Sequence, residues 1–257
     1  MKAVILAAGE GRRLAPMGWD KPKCLLPCGN GTLLDGTLQS LLAHGIRDVI
    51  IVVGYRRELV EDAALRHAMN CTLIVNEDFA ATNTIHSLWL ARKHLNEGIL
   101  YFNGDIWFEP PLLSLLLRQS GSALAVEVKR CGAEEVKVRT DPSGRITRIG
   151  KSLPPEEAFG EFIGVGKFEQ SACASLAESL RRYVEELCRR DCFFEAALDE
   201  ILPRHVFKAA PLGGFKAVEI DTPDDYARAK HLWTSKGGLT RGDGPEVGNV
   251  ENLKSSP

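Results

Sequence analysis

Four short, nearly continuous apolar runs constrain this chain more than any other feature. They are residues 2–6 (KAVIL), 48–53 (DVIIVV), 71–75 (CTLIV) and 98–103 (GILYFN). Patterns of helical period lie between them, at 33–44, 56–68 and 82–95. A strand without a polar face must be covered on both sides, and such strands alternating with helices pair in parallel. The expectation is an α/β domain built on a parallel sheet.

The rhythm changes after residue 120. "SALAVEVKR", "EEVKVRTD", "GRITRIGK" and "EFIGVGKF" read as strands without helices between them, and "DPSG" reads as a hairpin turn. This predicts a β-rich insertion over about 121–168 that covers one end of the parallel sheet. Helical stretches follow at 170–190 and 193–202, then a last strand, "KAVEI", and the helix "TPDDYARAKHLW". Thr222 as N-cap with Pro223 at the first helical position marks that helix start. From residue 237 apolar content almost vanishes, which predicts one domain over 1–236 and a flexible tail over 237–257.

A formal charge of -2 over 257 residues gives no footprint for nucleic acid or a membrane surface. An anionic ligand therefore needs a local cationic cluster, and "RRLAPMGWDKPK" offers Arg12, Arg13, Lys21 and Lys23. No stretch approaches the roughly 18 apolar residues of a membrane helix, and the first apolar run is too short for an export signal. The seven cysteines are odd in number and include no C-x-x-C. Reduced thiols in the cytoplasm are expected. Two C-x-x-x-C pairs invite a shared zinc, but Cys28 lies in a Pro-Cys-Gly-Asn turn, and no zinc site is expected.

The first strand runs directly into Gly9-Glu10-Gly11-Arg12-Arg13. A dinucleotide fingerprint would need glycine where Leu14 stands, and no G-x-x-x-x-G-K-[ST] string occurs. Two glycines at such a junction can nest a phosphate on backbone N–H groups, or simply make a tight βα turn beside solvated arginines. Asp105 ends the fourth apolar run, at the carboxyl edge where open α/β sheets place ligands. Glu219 and Asp221 flank Ile220 and so point to one face of a strand. Taken alone, an aspartate at a strand end is more often a helix cap than a metal ligand.

The combination L-A-A-G-x-G-x-R-L (residues 6–14) and P-K-x-L-L-P (residues 22–27) resembles the nucleotidyltransferases that activate sugar phosphates and related phosphoesters. The resemblance spans residues 1 to about 235. It implies a Rossmann-like, mostly parallel sheet flanked by helices, of the nucleotide-diphospho-sugar transferase type. It also implies that Leu6, Ala7, Ala8, Gly9, Gly11, Asn83 and Gly104 surround the nucleotide. Arg13 and Lys23 would neutralise the triphosphate and the departing pyrophosphate. A planar arginine suits two phosphate oxygens and a lysine suits one point. Arg12 is expected to point away as a solvated charge. Asp105 and Asp221 are assigned to Mg²⁺, with Glu219 as helper. Without the ion, the two aspartates are expected to face each other and repel.

T-N-x-I-x-S-L (residues 82–88), I-G-K (149–151), G-E-F-I-G (160–164) and E-I-D-T-P-D-D (219–225) resemble the branch that makes CMP-linked phosphocholine or aminoalkylphosphonates. Thr84 departs from that pattern, where relatives often carry asparagine, as does the absence of a tryptophan just ahead of the acidic pair. The branch implies CTP and a small phosphorylated or phosphonylated amino compound as partners. Asn83 would sit near the nucleotide–acceptor junction, Lys151 would grip the acceptor phosphate and Glu161 would contact its amine. Phe79, Trp107, Phe159 and Phe162 are available as aromatic walls, or as core. A sugar-1-phosphate nucleotidyltransferase using UTP, dTTP or GTP is the nearest alternative, and a silent nucleotide-sensing subunit is one of another class. Monomer and homo-oligomer both stay open.

Overall fold

The computed structural model describes residues 1–235. The expected tail from residue 237 lies outside the described residues. Strand β1 (Lys2–Ala7) runs at the centre of the sheet, parallel to β2 (Asp48–Val53) on one side and β4 (Ile99–Asn103) on the other. Beyond β2 lies β3 (Asn70–Val75), again parallel. The 3-2-1-4 order is that of a doubly wound α/β sheet.

Alternation along β1 explains why its run is apolar throughout. Ala3, Ile5 and Ala7 pack on one face with Leu34, Leu38 and Leu41 of α1 (Leu33–Ala43) and Val60 of α2 (Arg57–Ala64). Val4 and Leu6 pack on the other with Ile85 and Leu88 of α3 (Thr84–Leu90). Each strand residue thus meets a helix, and burial on both faces enforces parallel pairing through helical crossovers.

Chain then passes through β5 (Ile106–Phe108), α4 (Pro111–Leu117), β6 (Ser122–Glu127), β7 (Lys137–Thr140), β8 (Ile146–Gly150) and β9 (Gly160–Phe168). Strand β9 pairs antiparallel with β4, then with β6 and β7, so these strands widen the same sheet at its β4 side. At 141–144 Asp141 forms the turn, its Oδ1 accepting from Ser143 N–H (2.8 Å) and its carbonyl from Gly144 N–H (3.0 Å).

Helices α5 (Gln170–Arg181) and α6 (Glu195–Ile201) cover the α3 face, and β10 (Phe207–Pro211) lies parallel to β6. The helix read over 170–190 stops sooner, passing into a π turn at Arg182–Glu186.

The last strand, β11 (Ala217–Glu219), does not join the main sheet. It forms a separate antiparallel ribbon with β5, with Glu219 opposite Ile106. Helix α7 (Pro223–Ser235) follows. Thr222 and Asp225 cap it reciprocally, Thr222 N–H donating to Asp225 Oδ2 (2.9 Å) and Asp225 N–H to Thr222 Oγ1 (3.2 Å).

Candidate active site

Two strand ends and one ribbon assemble the site. After β1, Gly11 takes a left-handed backbone (φ 67°) and a 3₁₀ turn begins at Arg12. That turn buries Leu14 completely against Leu26, Leu33, Val218 and Ile220. This small apolar cluster ties the glycine loop to the segment that leads into Asp221. After β4, Gly104 N–H donates to Leu6 O (2.8 Å), and a β-carbon at Gly104 would stand 2.6 Å from that oxygen. Only glycine lets the two chain ends approach so closely.

The ribbon brings Asp105 and Asp221 together. Asp105 immediately precedes β5, Asp221 lies two residues beyond β11, and Ile220 N–H donates to Asp105 O (3.0 Å). The device that joins them is a hairpin-like pairing outside the main sheet. Nor do the carboxylates face each other unpartnered. Lys23 Nζ lies 2.9 Å from Asp105 Oδ2 and also binds Asp221 Oδ1, while Arg13 Nη2 is 2.7 Å from the same Asp221 oxygen. The expected repulsion is replaced by an ion-paired cluster.

Charge states follow from this packing. Burial works against the Lys23 ammonium, but Asp105 and Asp221 outweigh it and raise its pKa. Burial likewise opposes the Asp221 carboxylate, yet Lys23 and Arg13 hold it below its ordinary range. Glu219 is different: burial, then the charges of Asp105 and Asp221, push it up to about 8. Asn103 Nδ2 donates to its Oε1 (3.1 Å).

Two cavities meet at this cluster. The first, about 420 Å³, is lined by Leu6, Ala7, Gly9, Gly11, Phe79 and Asn83 among others. Ala8 is not on its wall; its carbonyl accepts from Tyr55 N–H (3.1 Å). Arg12 borders the cavity, but its side chain is 74% exposed and pairs with Glu10. Asn83 caps α3 through its Oδ1, which accepts from Thr84 N–H (2.7 Å). The second cavity, about 490 Å³, contains Lys151, Glu161, Glu195, Glu219 and Asp221. Arg13, Lys23 and Asp105 line both. Asn83 belongs to the first cavity; Lys151 and Glu161 belong to the second.

Beside the residues named from sequence, the wall of the second cavity carries Glu127, Lys129, Glu134, Glu135 and Glu195, which the sequence did not single out. Glu161 of β9 stands opposite Glu127 of β6, a like-charge cross-strand pair that would be unfavourable alone. Lys129 Nζ relieves it, 2.6 Å from Glu161 and 3.4 Å from Glu127. Lys137, 1% exposed, donates to the carbonyls of Gly132 (3.0 Å), Ala133 (3.0 Å) and Glu135 (3.1 Å), pinning the loop that carries Glu134 and Glu135. Lys151 Nζ lies 4.5 Å from the centre of the Phe193 ring. The four aromatic residues available from sequence do not converge here. Phe79 lines the first cavity, Phe162 is core, Trp107 packs with Trp233, and Phe159 is on neither wall.

The donor set fits a hard divalent cation. Mg²⁺ takes one or two carboxylates and fills its shell with water and phosphate oxygens. Asp105 and Asp221 share one cationic neighbour, Lys23, so their oxygens already converge on a single point of positive charge. Among the described residues no group of three His, Cys, Asp or Glu side chains is arranged to hold an ion alone.

A glycine loop, two cations and two carboxylates gather where β1 and β4 end, an arrangement suited to phosphate. A family model described as nucleotidyl transferase matches residues 2–142, and the chain belongs to that family. The CMP-5'-(3-aminopropyl)phosphonate synthase of Streptomyces rubellomurinus is 30% identical over 242 residues, covering 89% of this chain and 38% of that protein. This chain therefore spans well under half of that relative. The choline-phosphate cytidylyltransferase of Streptococcus pneumoniae is 38% identical over 236 residues, covering 90% of this chain and 98% of that one. The solved structure of the CTP:phosphocholine cytidylyltransferase from Streptococcus pneumoniae superimposes with a TM-score of 0.75 at 20% identity, over 90% of this chain and 98% of that chain, and shows the shared fold. No helix among the described residues is long and apolar enough to cross a membrane.

Proposed function

We propose that this nucleotidyltransferase is a Mg²⁺-dependent cytidylyltransferase that joins CTP to a small phosphorylated or phosphonylated amino compound. The observation that carries the reading is the meeting of two cavities at Arg13, Lys23 and Asp105. One cavity is formed by the glycine loop and suits a triphosphate; the other is rich in carboxylates and lysines and suits a zwitterionic acceptor. The names of the two relatives above, an aminopropylphosphonate synthase and a choline-phosphate enzyme, support the same pair of substrates.

In the proposed reaction an acceptor phosphate or phosphonate oxygen attacks the α-phosphorus of CTP. A new P–O bond forms, the bond to the bridging α–β oxygen breaks, and pyrophosphate leaves with that electron pair. Protein has little covalent work in such a transfer, so cation placement supplies most of the rate. Arg13 and Lys23, at the seam of the cavities, face the charge that builds on the leaving group. Lys151 steadies the acceptor's anionic end. Asp105 and Asp221, with Glu219 beside them, would hold Mg²⁺, which when bound neutralises triphosphate charge.

Pyrophosphate release measured over CTP, UTP, GTP and ATP, with 2-aminoethylphosphonate, phosphocholine and glucose-1-phosphate, tests this. CTP with an amino acceptor is expected to exceed every other pairing by at least about tenfold, and chelator to abolish turnover. Equal or faster turnover of glucose-1-phosphate with UTP would overturn it.

A further inference from the structure

The second cavity contains a carboxylate whose position no step above explains. Glu195 opens α6 on the cavity wall, yet the residue is only 4% exposed. Its Oε2 is buried and has no hydrogen-bond partner. Leaving a buried acceptor unsatisfied costs its full desolvation, and more when the group is charged. Burial pushes its carboxyl up to about 7, and Lys151 only partly counters that. Lys151, Glu161 and Glu195 line this one cavity together, so an acceptor whose anionic end meets Lys151 lies in the same space as both glutamates.

We propose that Glu195, together with Glu161, receives the acceptor's positive end, and that this end is an amine bearing N–H donors and not a quaternary ammonium. The inference rests on the cytidylyl-transfer reading and narrows its acceptor. A primary ammonium carries three N–H donors and needs oxygen acceptors. The carboxylate of Glu195, on the cavity wall and with one oxygen unpartnered, offers one. Glu161 offers another, because its lysine is already divided: Lys129 lies within 4 Å of Glu127, Glu135 and Glu161 together. A trimethylammonium donates no hydrogen bond and is recognised by several aromatic faces. Among the described residues Phe193 is the single aromatic side chain on this wall, and Lys151 already lies over its ring at 4.5 Å. The cavity therefore offers oxygens where a quaternary group would need rings.

The test is a methylation series. Phosphoethanolamine and its N-methyl, N,N-dimethyl and N,N,N-trimethyl forms, the last being phosphocholine, are compared as acceptors with CTP by kcat/KM. 2-Aminoethylphosphonate is run beside phosphoethanolamine, and the faster of the two identifies a phosphonate or a phosphate ester as the source of the amine. Turnover should fall with each added methyl, leaving phosphocholine at least about tenfold below the faster primary amine. Glu195→Gln, neutral and of the same shape, should raise KM for the primary amine at least about tenfold, leave KM for CTP unchanged and flatten the series. Phosphocholine equal to or better than the primary amines overturns the inference and leaves cytidylyl transfer standing. So does a folded Glu195→Gln enzyme with unaltered acceptor KM. No pyrophosphate release from CTP with any of the five acceptors overturns both. If the variant does not fold, the series on the unaltered protein decides alone.

Discussion

The two cavities that meet at Lys23 are made of different material. The first is largely one stretch of chain: Leu6, Ala7, Gly9, Gly11 and Arg13 follow one another, and close backbone approach shapes it. The second draws its wall from β6, β7's preceding loop, β9, the segment before α6 and the ribbon strand β11, and ion pairs between those segments shape it. Backbone-built sites keep their order in the sequence. Side-chain-built sites exist only once the strands are in register.

Five substitutions probe the comparison, the largest effect falling where the regions join. Lys23→Met removes the cation that pairs with both Asp105 and Asp221 and leaves only Arg13, on Asp221, to offset their repulsion. Losing one preorganised contact of this kind costs about 10²–10³ in kcat. Its melting temperature without metal should also fall, because a half-buried ion cluster has lost its centre; unchanged kinetics would remove Lys23 from the reaction.

Arg13→Ala should follow, with a loss of about 10² in kcat, whereas Arg12→Ala should stay within a few-fold because its exposed pair with Glu10 contributes almost nothing. Equal losses at the two arginines would mean the loop faces the other way.

Gly9→Val sharpens the contrast from the nucleotide side. A β-carbon at Gly9 meets nothing within 4 Å, so the fold should be unharmed while the side chain occupies the cavity. Overpacking of about 1–3 kcal/mol corresponds to about 5–150-fold in nucleotide KM.

Asp35→Asn is the smallest and should touch neither cavity. Asp35 bonds Thr32 N–H (2.8 Å) and His67 Nε2 (2.7 Å) in the capping box of α1. Burial opposes its charge, yet His67, Thr32 and Arg66 together hold its pKa below 3.8. Its contribution, about 1 kcal/mol, is thus present above that value and lost as pH falls through the lower folded-state pKa. Denaturant melts of both proteins across acid pH should converge there, with turnover at neutral pH unchanged.

How much of this was legible depended on the same distinction. Strands β1 to β4 announced themselves because burial on both faces leaves an unbroken apolar run. Strand β5 is three residues long, α4 hides behind Pro110-Pro111, which reads as a break though Pro suits a first helical turn, and β10 is interrupted by Lys208. Arg13, Lys23, Asp105 and Asp221 could be named because short motifs carry them. Their mutual ion pairing could not, since it needs the β5–β11 ribbon. Glu195 gave no signal at all: glutamate in the first turn of a helix ordinarily faces water, and only the packing of α6 against the sheet buries it. The Lys129–Glu161 pair depends on which residue of β9 falls opposite Glu127, a register no local pattern encodes.

The central claim is that two cavities hold two substrates and share one reacting centre. Its most direct measurement is the pair of KM values, for CTP and for 2-aminoethylphosphonate, in Gly9→Val and Glu161→Gln. The account predicts a crossed result: Gly9→Val raises KM for CTP about tenfold or more and leaves the acceptor value in place, and Glu161→Gln does the reverse. Parallel rises in both constants in either variant would contradict it.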